Sequence, residues 1–179
     1  MKTDLSKYNI NWYSPGSKLI CFLWFVVNVI FIQNKLNPFN FLKVILLRVF
    51  GAKIGRGVIV KPGVNIKYPW KLEIGNYVWI GEDVWIDNLD DVVIGNNVCI
   101  SQGVMLLSGN HNYKKSTFDL IIGKIKLKDG VWIGAKSIVT QNVVCDNHSV
   151  LTVNSVASSN LESYSVYSGN PAKKVRNRI

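Results

Sequence analysis

From Ile54 onward an aliphatic residue recurs at every sixth position, and no other feature of the chain restricts its fold so tightly. The series runs Ile54, Val60, Ile66, then Ile74, Ile80, Ile86, then Ile94, Ile100, Leu106. After a gap it resumes as Leu127, Ile133, Val139, Cys145, Leu151, Ala157. Of the 15 hexads so defined, 13 begin with Ile, Leu or Val, eight carry Val in fifth place and five carry Gly in second. A helix needs a period of 3.6, and Gly at this density destabilises one. β-Branched residues with Gly at fixed offsets suit short strands joined by tight turns. A period of six therefore predicts a parallel β-helix, an all-β fold. Each hexad forms one flat side and its corner, three sides make a coil, and the first and fifth residues point inward. Coils stack at the strand spacing of about 4.8 Å, so about five coils make a prism about 24 Å tall. Gly in second place is expected to turn the corner with a positive φ. The two-residue insertions Leu72-Glu73 and Val92-Val93 are short enough to be absorbed at corners.

The gap in the series holds Ser108-Gly109-Asn110-His111-Asn112-Tyr113. The stretch 112–126 is too long for a corner and must leave the prism as a projecting loop. A long excursion from a rigid scaffold is a common seat of function. His111, one of two histidines in the chain, stands at its start. His148 falls on the polar corner Asp146-Asn147-His148-Ser149 and reads as exposed and structural.

Residues 1–50 have a different character. Met1 to Asn11 is polar and reads as loose. Leu19 to Ile32 is a run of 14 residues with one polar member, Asn28, flanked by Lys18 and Lys35. A spanning helix needs about 20 apolar residues. The run has no small-residue cleavage site and no clear basic leader, so it is not read as a signal peptide. Three readings are open: a helix packed on protein, one lying on a membrane surface with Phe22, Trp24, Phe25 and Phe31 as anchors, and a true span. Asn37-Pro38 ends it, and Phe41–Phe50 reads as a second short helix stopped by Gly51. Residues 51–164 are then the β-helix domain and 165–179 a basic tail. The formal net charge of +10 favours anionic partners, yet no stripe of Lys and Arg interleaved with aromatics points to nucleic acid. Cys21, Cys99 and Cys145 fit neither a disulfide framework nor a zinc site, which suits a reducing cytoplasm.

With these motifs in view, the chain resembles the hexapeptide-repeat acyltransferases with a left-handed β-helix, in the sugar O-acetyltransferase branch. That branch includes galactoside and maltose acetyltransferases and acetyltransferases named in colanic acid biosynthesis. The residues that carry the resemblance are Phe50-Gly-Ala-Lys-Ile-Gly55, Trp85-Ile-Asp-Asn88, Val93 to Gly103, Ser108-Gly-Asn-His111, Asp129-Gly-Val-Trp-Ile-Gly-Ala135 and Ser168-Gly-Asn-Pro-Ala-Lys-Lys-Val175. Handedness comes from the resemblance, since parallel crossovers by themselves favour the right hand. The resemblance implies acetyl transfer from acetyl-coenzyme A to a sugar hydroxyl, with His111 as general base and no metal. It implies acceptor contacts at Asp83, where relatives often carry Asn, and the coil before His111 adds Asp87 and Asn88. It implies coenzyme contacts at Trp132, Gly134, Ala135 and Ser158, with Lys173, Lys174 and Arg176 near the phosphates. It also implies a homotrimer with sites between prisms, in which Trp70, Trp79 and Trp85 could line the contacts. The enzyme would work in the cytoplasm, with residues 19–32 in reach of the inner membrane face. An amino-sugar N-acyltransferase and a non-catalytic scaffold are the alternatives. A γ-class carbonic anhydrase needs three His ligands, and the chain has two His in all.

Overall fold

The computed structural model describes residues 2–179. In chain order it begins with α1 (Lys18–Val27), which runs directly into a π-helical turn at Asn28–Ile32, and continues with α2 (Asn40–Val49). The prism follows coil by coil. The first coil is β1 (Lys53–Ile54), β2 (Ile59–Val60) and β3 (Asn65–Ile66); the second is β4 (Leu72–Ile74), β5 (Trp79–Ile80) and β6 (Trp85–Asp87). The third is β7 (Val92–Ile94), β8 (Cys99–Ile100) and β9 (Met105–Leu107), from which the hairpin β10 (Gly109–His111) and β11 (Leu120–Ile122) projects. The fourth is β12 (Ile125–Leu127), β13 (Trp132–Ile133) and β14 (Ile138–Thr140), and the fifth is β15 (Val144–Cys145), β16 (Val150–Leu151) and β17 (Val156–Ala157).

Each coil contributes one strand to each of three parallel sheets. The first sheet is β1-β4-β7-β12-β15, the third is β3-β6-β9-β14-β17, and the second runs from β2 through β5, β8, β13 and β16. Five coils are complete and a sixth is begun. Leu161 bridges to Cys145 on the first sheet, and β18 (Ser165–Gly169) extends the second. β19 (Ala172–Asn177) folds back antiparallel on β18, so the basic tail forms a hairpin on the end of the prism.

The first and fifth places of the hexads point inward, as the periodicity predicts. Val60, Ile80, Ile100, Ile133 and Leu151 form one inward column, and Ile66, Ile86, Leu106, Val139 and Ala157 another, all at most 2 % exposed. Burying each Ile, Leu or Val contributes about 1.5–3 kcal/mol. The insertions are not absorbed at corners. They lengthen the strands of the first sheet, where Leu72 pairs with Val92 and Val92 with Ile125, adding a buried column of their own. The excursion accordingly ends at Lys124, and Ile125 and Lys126 belong to the prism.

The corner chemistry also differs from the sequence reading. Positive φ falls at the fourth place of the hexad, at Gly57, Gly63, Tyr77, Asp83, Asn97, Gly103, Gly130, Lys136, Asn142, His148 and Asn154. Gly in second place serves close approach instead. A Cβ on Gly75 would lie 2.7 Å from the Gly95 carbonyl carbon, and one on Gly134 2.5 Å from the Val153 nitrogen. Third-place amides and carboxylates stitch the same corner vertically. Asn76 accepts from the Arg56 N–H at 3.0 Å, Asn96 from Asn76 at 2.9 Å and Asp129 from Asn96 at 2.7 Å.

The helices close the open edge of the first coil on all three sheets. Arg48 donates to the carbonyls of Ile54 and Gly55 at 2.9 Å each. Asn40 donates to the Val58 carbonyl at 2.9 Å and accepts from the Val60 N–H at 2.7 Å. The Trp24 indole N–H donates to the Ile66 carbonyl at 2.8 Å. Bare strand edges invite unwanted pairing, and these side chains blunt this one. Lys43 of α2 is fully buried over the same edge, with its Nζ donating only to the Val60 carbonyl at 3.4 Å.

Burial holds the Lys43 ammonium below its ordinary pKa of 10.5. A depressed folded-state value means that the unfolded chain binds more protons between that value and 10.5, so the contribution of Lys43 to stability rises with pH across that window. Lys43→Met is expected to raise unfolding stability at neutral pH by about 1–3 kcal/mol and to flatten that rise. Guanidinium melts of both proteins at neutral and alkaline pH check it; a less stable variant would show that the ammonium is a net stabilising cap.

Candidate active site

His111 ends β10, whose partner β11 pairs Gly109 with Ile122, Asn110 with Ile121 and His111 with Leu120. The hairpin is bolted to the coil below. Ser108 is fully buried, donates its Oγ hydrogen to the Asp87 carbonyl at 3.0 Å and accepts from the Asp90 N–H at 2.9 Å. Gly109 then passes so close to Leu89 that a Cβ would lie 2.3 Å from its Cδ1. The Ser-Gly pair is thus required at the exit from the prism, Ser108 by its buried hydrogen bonds and Gly109 by the close approach of Leu89.

The imidazole is half-buried and packed by two aromatic rings. Phe118 stacks on it at 4.4 Å between centroids and 9° between planes, and Tyr8 leans on it at 5.7 Å. The Phe118 carbonyl stands 3.0 Å from Nδ1. A carbonyl only accepts, so Nδ1 carries the hydrogen, and Nε2 of the neutral ring is left with its lone pair. Phe118 has φ +50°, a conformation that costs a non-glycine residue about 1–2 kcal/mol. The loop 112–119 bears that strain while holding both the ring and the carbonyl of Phe118 against His111. The N-terminal strap supports the loop, with the Asp4 N–H donating to the Ser116 carbonyl at 2.8 Å. Residues expected to be loose are therefore part of the site. Tyr8 and Phe118 lie outside the six-residue period, and nothing in the sequence pattern singles them out.

The three acceptor candidates are not brought together. Asp83 turns the corner between β5 and β6 with φ +57°, and pairs with Lys35 at 2.9 Å. Asp87 stands at the other edge of the third sheet, beside Leu107 below the His111 hairpin, and pairs with Lys67 at 2.8 Å. Its side chain is 15 % exposed. Asn88 is fully buried, donates to the Tyr68 carbonyl at 2.6 Å and accepts from the Tyr68 N–H at 2.9 Å. Both halves of its amide are spent on coil-to-coil pairing, which places it in the scaffold.

The coenzyme candidates also separate into groups. Trp132 is 47 % exposed on β13 and donates its indole hydrogen to Ser101 at 3.0 Å; Gly134 and Ala135 form the corner that follows. The Gly134 N–H donates to the Leu151 carbonyl at 2.7 Å, and the Ala135 carbonyl accepts from Asn154 at 2.9 Å. Ser158 is exposed beyond β17, at the far edge of the third sheet. Lys173 and Arg176 are exposed on β19, and Lys174 beside them is paired with Glu162 at 2.8 Å. His148 stacks on Tyr164 at 4.9 Å, in keeping with a structural corner. Cys99 and Cys145 are not poised as nucleophiles. Burial pushes Cys145 up to about 12 and raises Cys99, against which the hydrogen bond with Ser101 works in the opposite direction.

No protein-family model matches the chain. It is 31 % identical over 177 residues to a protein named as a colanic acid biosynthesis acetyltransferase, WcaF of Escherichia coli (strain K12), covering 98 % of this chain and 97 % of that one. It is 25 % identical over 134 residues to the galactoside O-acetyltransferase of the same organism, covering 73 % and 66 %. Its fold superposes with a TM-score of 0.83 and 19 % identity on a hexapeptide-repeat acetyltransferase of Vibrio cholerae O1 biovar eltor, solved with acetyl coenzyme A, covering 97 % and 94 %. The prism is therefore a left-handed β-helix, and the chain belongs to the hexapeptide-repeat acetyltransferase family. It is an acyltransferase.

If Asn88 is scaffold, Asn88→Ala should cost about 2–3 kcal/mol by orphaning the Tyr68 N–H and carbonyl, while KM for the acceptor stays within about twofold, a change of under about 0.5 kcal/mol. Denaturant melts together with steady-state kinetics test this. A KM effect without a stability loss would return Asn88 to the acceptor site.

Proposed function

We propose that the chain transfers the acetyl group of acetyl-coenzyme A to a sugar hydroxyl in the assembly of a surface polysaccharide, with His111 as general base. The observation that carries this reading is the Phe118 carbonyl at 3.0 Å from Nδ1 of His111. It fixes the tautomer whose free Nε2 can take a proton, as a general base requires. Nε2 removes the hydroxyl proton while the oxygen attacks the thioester carbonyl. The tetrahedral oxyanion collapses, the C–S bond breaks, and the imidazolium returns the proton to the departing thiolate. No acyl-enzyme forms, in keeping with the raised thiols of Cys99 and Cys145. An alcohol needs this help more than an amine does, so the fixed base favours O-acetylation over N-acylation. The name of the Escherichia coli relative supports the polysaccharide setting.

The site is completed by a second prism. His111 leaves one long edge of the third sheet, and Trp132, Gly134 and Ala135 mark the other edge, a hexad away, at most about 20 Å. A neighbour laid with its β13–β14 corner against the hairpin brings coenzyme and base together, with Asp83 or Asp87 beside the acceptor. Ser158, Lys173 and Arg176 serve the adenosine and phosphate end of the coenzyme. The outward faces suit a trimer. The second sheet presents Ile59, Trp79, Cys99 and Trp132, and the third presents Asn65, Trp85, Met105, Ile138 and Val156, while the first presents Lys53, Glu73, Val93, Lys126 and Val144. Charge in these columns is confined to the first sheet, which leaves the other two for contacts in a ring of three prisms. The enzyme works in the cytoplasm, where acetyl-coenzyme A is made.

His111→Ala should lower kcat by about 10²–10⁴-fold and leave coenzyme A binding within about twofold, or about 0.5 kcal/mol. Acetyl transfer to nucleotide sugars, lipid-linked oligosaccharides and free sugars, with calorimetry for the coenzyme, measures both. Full activity in the variant would end the general-base reading.

A further inference from the structure

Independently of the reaction, we infer that the α1–α2 helix pair is a docking face for an anionic lipid surface, with the helix lying flat on the bilayer. The first observation is a bare apolar face. The stripe Trp24, Asn28 and Ile32 is buried against the prism, while Leu19, Phe22, Leu23, Phe25, Val29 and Ile30 are each 45 % or more exposed. Phe41, Ile45 and Val49 of α2 are exposed at 66 %, 49 % and 74 %. Between the start of α1 and the end of α2 an apolar cavity of about 400 Å³, lined by Ile20, Val49, Phe50 and Trp70, adds room for hydrocarbon.

The second observation names the occupant. Residues 5–72 contain ten Lys and Arg and no Asp or Glu, while the acids and bases of 73–179 cancel. The whole net charge of +10 therefore sits on the helices and the first coil. Four of the ten pair with acids, Lys7 with Asp4, Lys35 with Asp83, Lys53 with Glu73 and Lys67 with Asp87. Lys18, at the start of α1, carries no salt bridge among the described residues and flanks the apolar face, while the Arg48 guanidinium is turned to the Ile54 and Gly55 carbonyls. A face that is apolar in the middle and cationic at its margin matches an anionic bilayer, in which the acyl boundary takes the Phe side chains and the headgroups take Lys18. A two-fold contact with a second copy would instead set like charge against like.

The geometry excludes a span. Residues 18–32 make a rod about 22 Å long, shorter than the hydrocarbon core of about 30 Å. It is also tied lengthwise to the prism by Trp24 on Ile66 at 2.8 Å and by Asn28 and Gln33 on Asn65 at 2.9 and 3.2 Å. No helix among the described residues is long and apolar enough to cross a membrane.

The test is co-sedimentation of the full chain with phosphatidylcholine vesicles made with and without phosphatidylglycerol. The protein should pellet with the anionic vesicles and release as salt is raised. Phe22→Ser with Phe25→Ser should weaken that partitioning at least about tenfold with no change in melting temperature or in mass by light scattering. Lys18→Glu should weaken binding to anionic vesicles and leave the neutral ones unaffected. Failure of the wild type to bind anionic vesicles, or equal binding by the Phe variant, overturns the inference. A Phe variant that loses an oligomer which the wild type holds without lipid assigns the face to a second copy and overturns it as well.

Discussion

Coil-to-coil spacing of about 4.8 Å is the constraint from which the rest of this structure descends. Main chains stacked so closely leave no room for a Cβ at certain corners, which is why Gly55, Gly75, Gly81, Gly95 and Gly134 stand in second place. The same spacing lets one side chain serve the backbone of the next coil, as Asn76, Asn96 and Asp129 do. It also forces inward residues into vertical contact, so each column must be filled by side chains of similar breadth. Fourth-place residues adopt positive φ because the corner has to turn within two residues, and Asn, Asp and His tolerate this better than most.

A stack of this kind has two ends, and both are finished with local chemistry. At the start, side chains from α1, α2 and the residues between them satisfy the edge of each sheet. At the finish, β18 and β19 fold over the second sheet and Tyr167 takes the next inward place. The first closure has an uneven consequence. Helices that spend one stripe on capping leave the opposite stripe apolar, and all of the net charge gathers on the same stretch of chain.

The site depends on the rigidity of what lies beneath it. Ser108 and Gly109 allow the chain to leave a stiff prism at one defined angle, and the hairpin carries His111 out to meet Phe118 and Tyr8. The chemistry of the imidazole is then set by one main-chain carbonyl. No residue type predicts that contact, because any residue at 118 offers a carbonyl; only the left-handed turn there aims it at Nδ1. On the function proposed above, the two edges of the third sheet hold the base and the coenzyme corner separately, and neighbouring prisms would divide the labour between them.

Legibility followed periodicity. The inward columns, the three-sided coils, the break at His111 and the apolar N-terminal segment are readable because each repeats or interrupts a period. The insertions, the exit point of the loop and the turning residue of the hexad were misplaced, because strand pairing between coils, not local sequence, decides them. Asn88 illustrates the limit. As a polar residue beside an aliphatic column it reads as a ligand for sugar, and its burial against Tyr68 makes it a clamp. By itself the sequence determined the period, hence the prism, and placed a histidine where the period fails. Only the tertiary structure decided which nitrogen of that histidine is free, that the N-terminal strap belongs to the site, and which side of the helices is left bare. Those outcomes rest on contacts between residues dozens of positions apart, which no local pattern encodes.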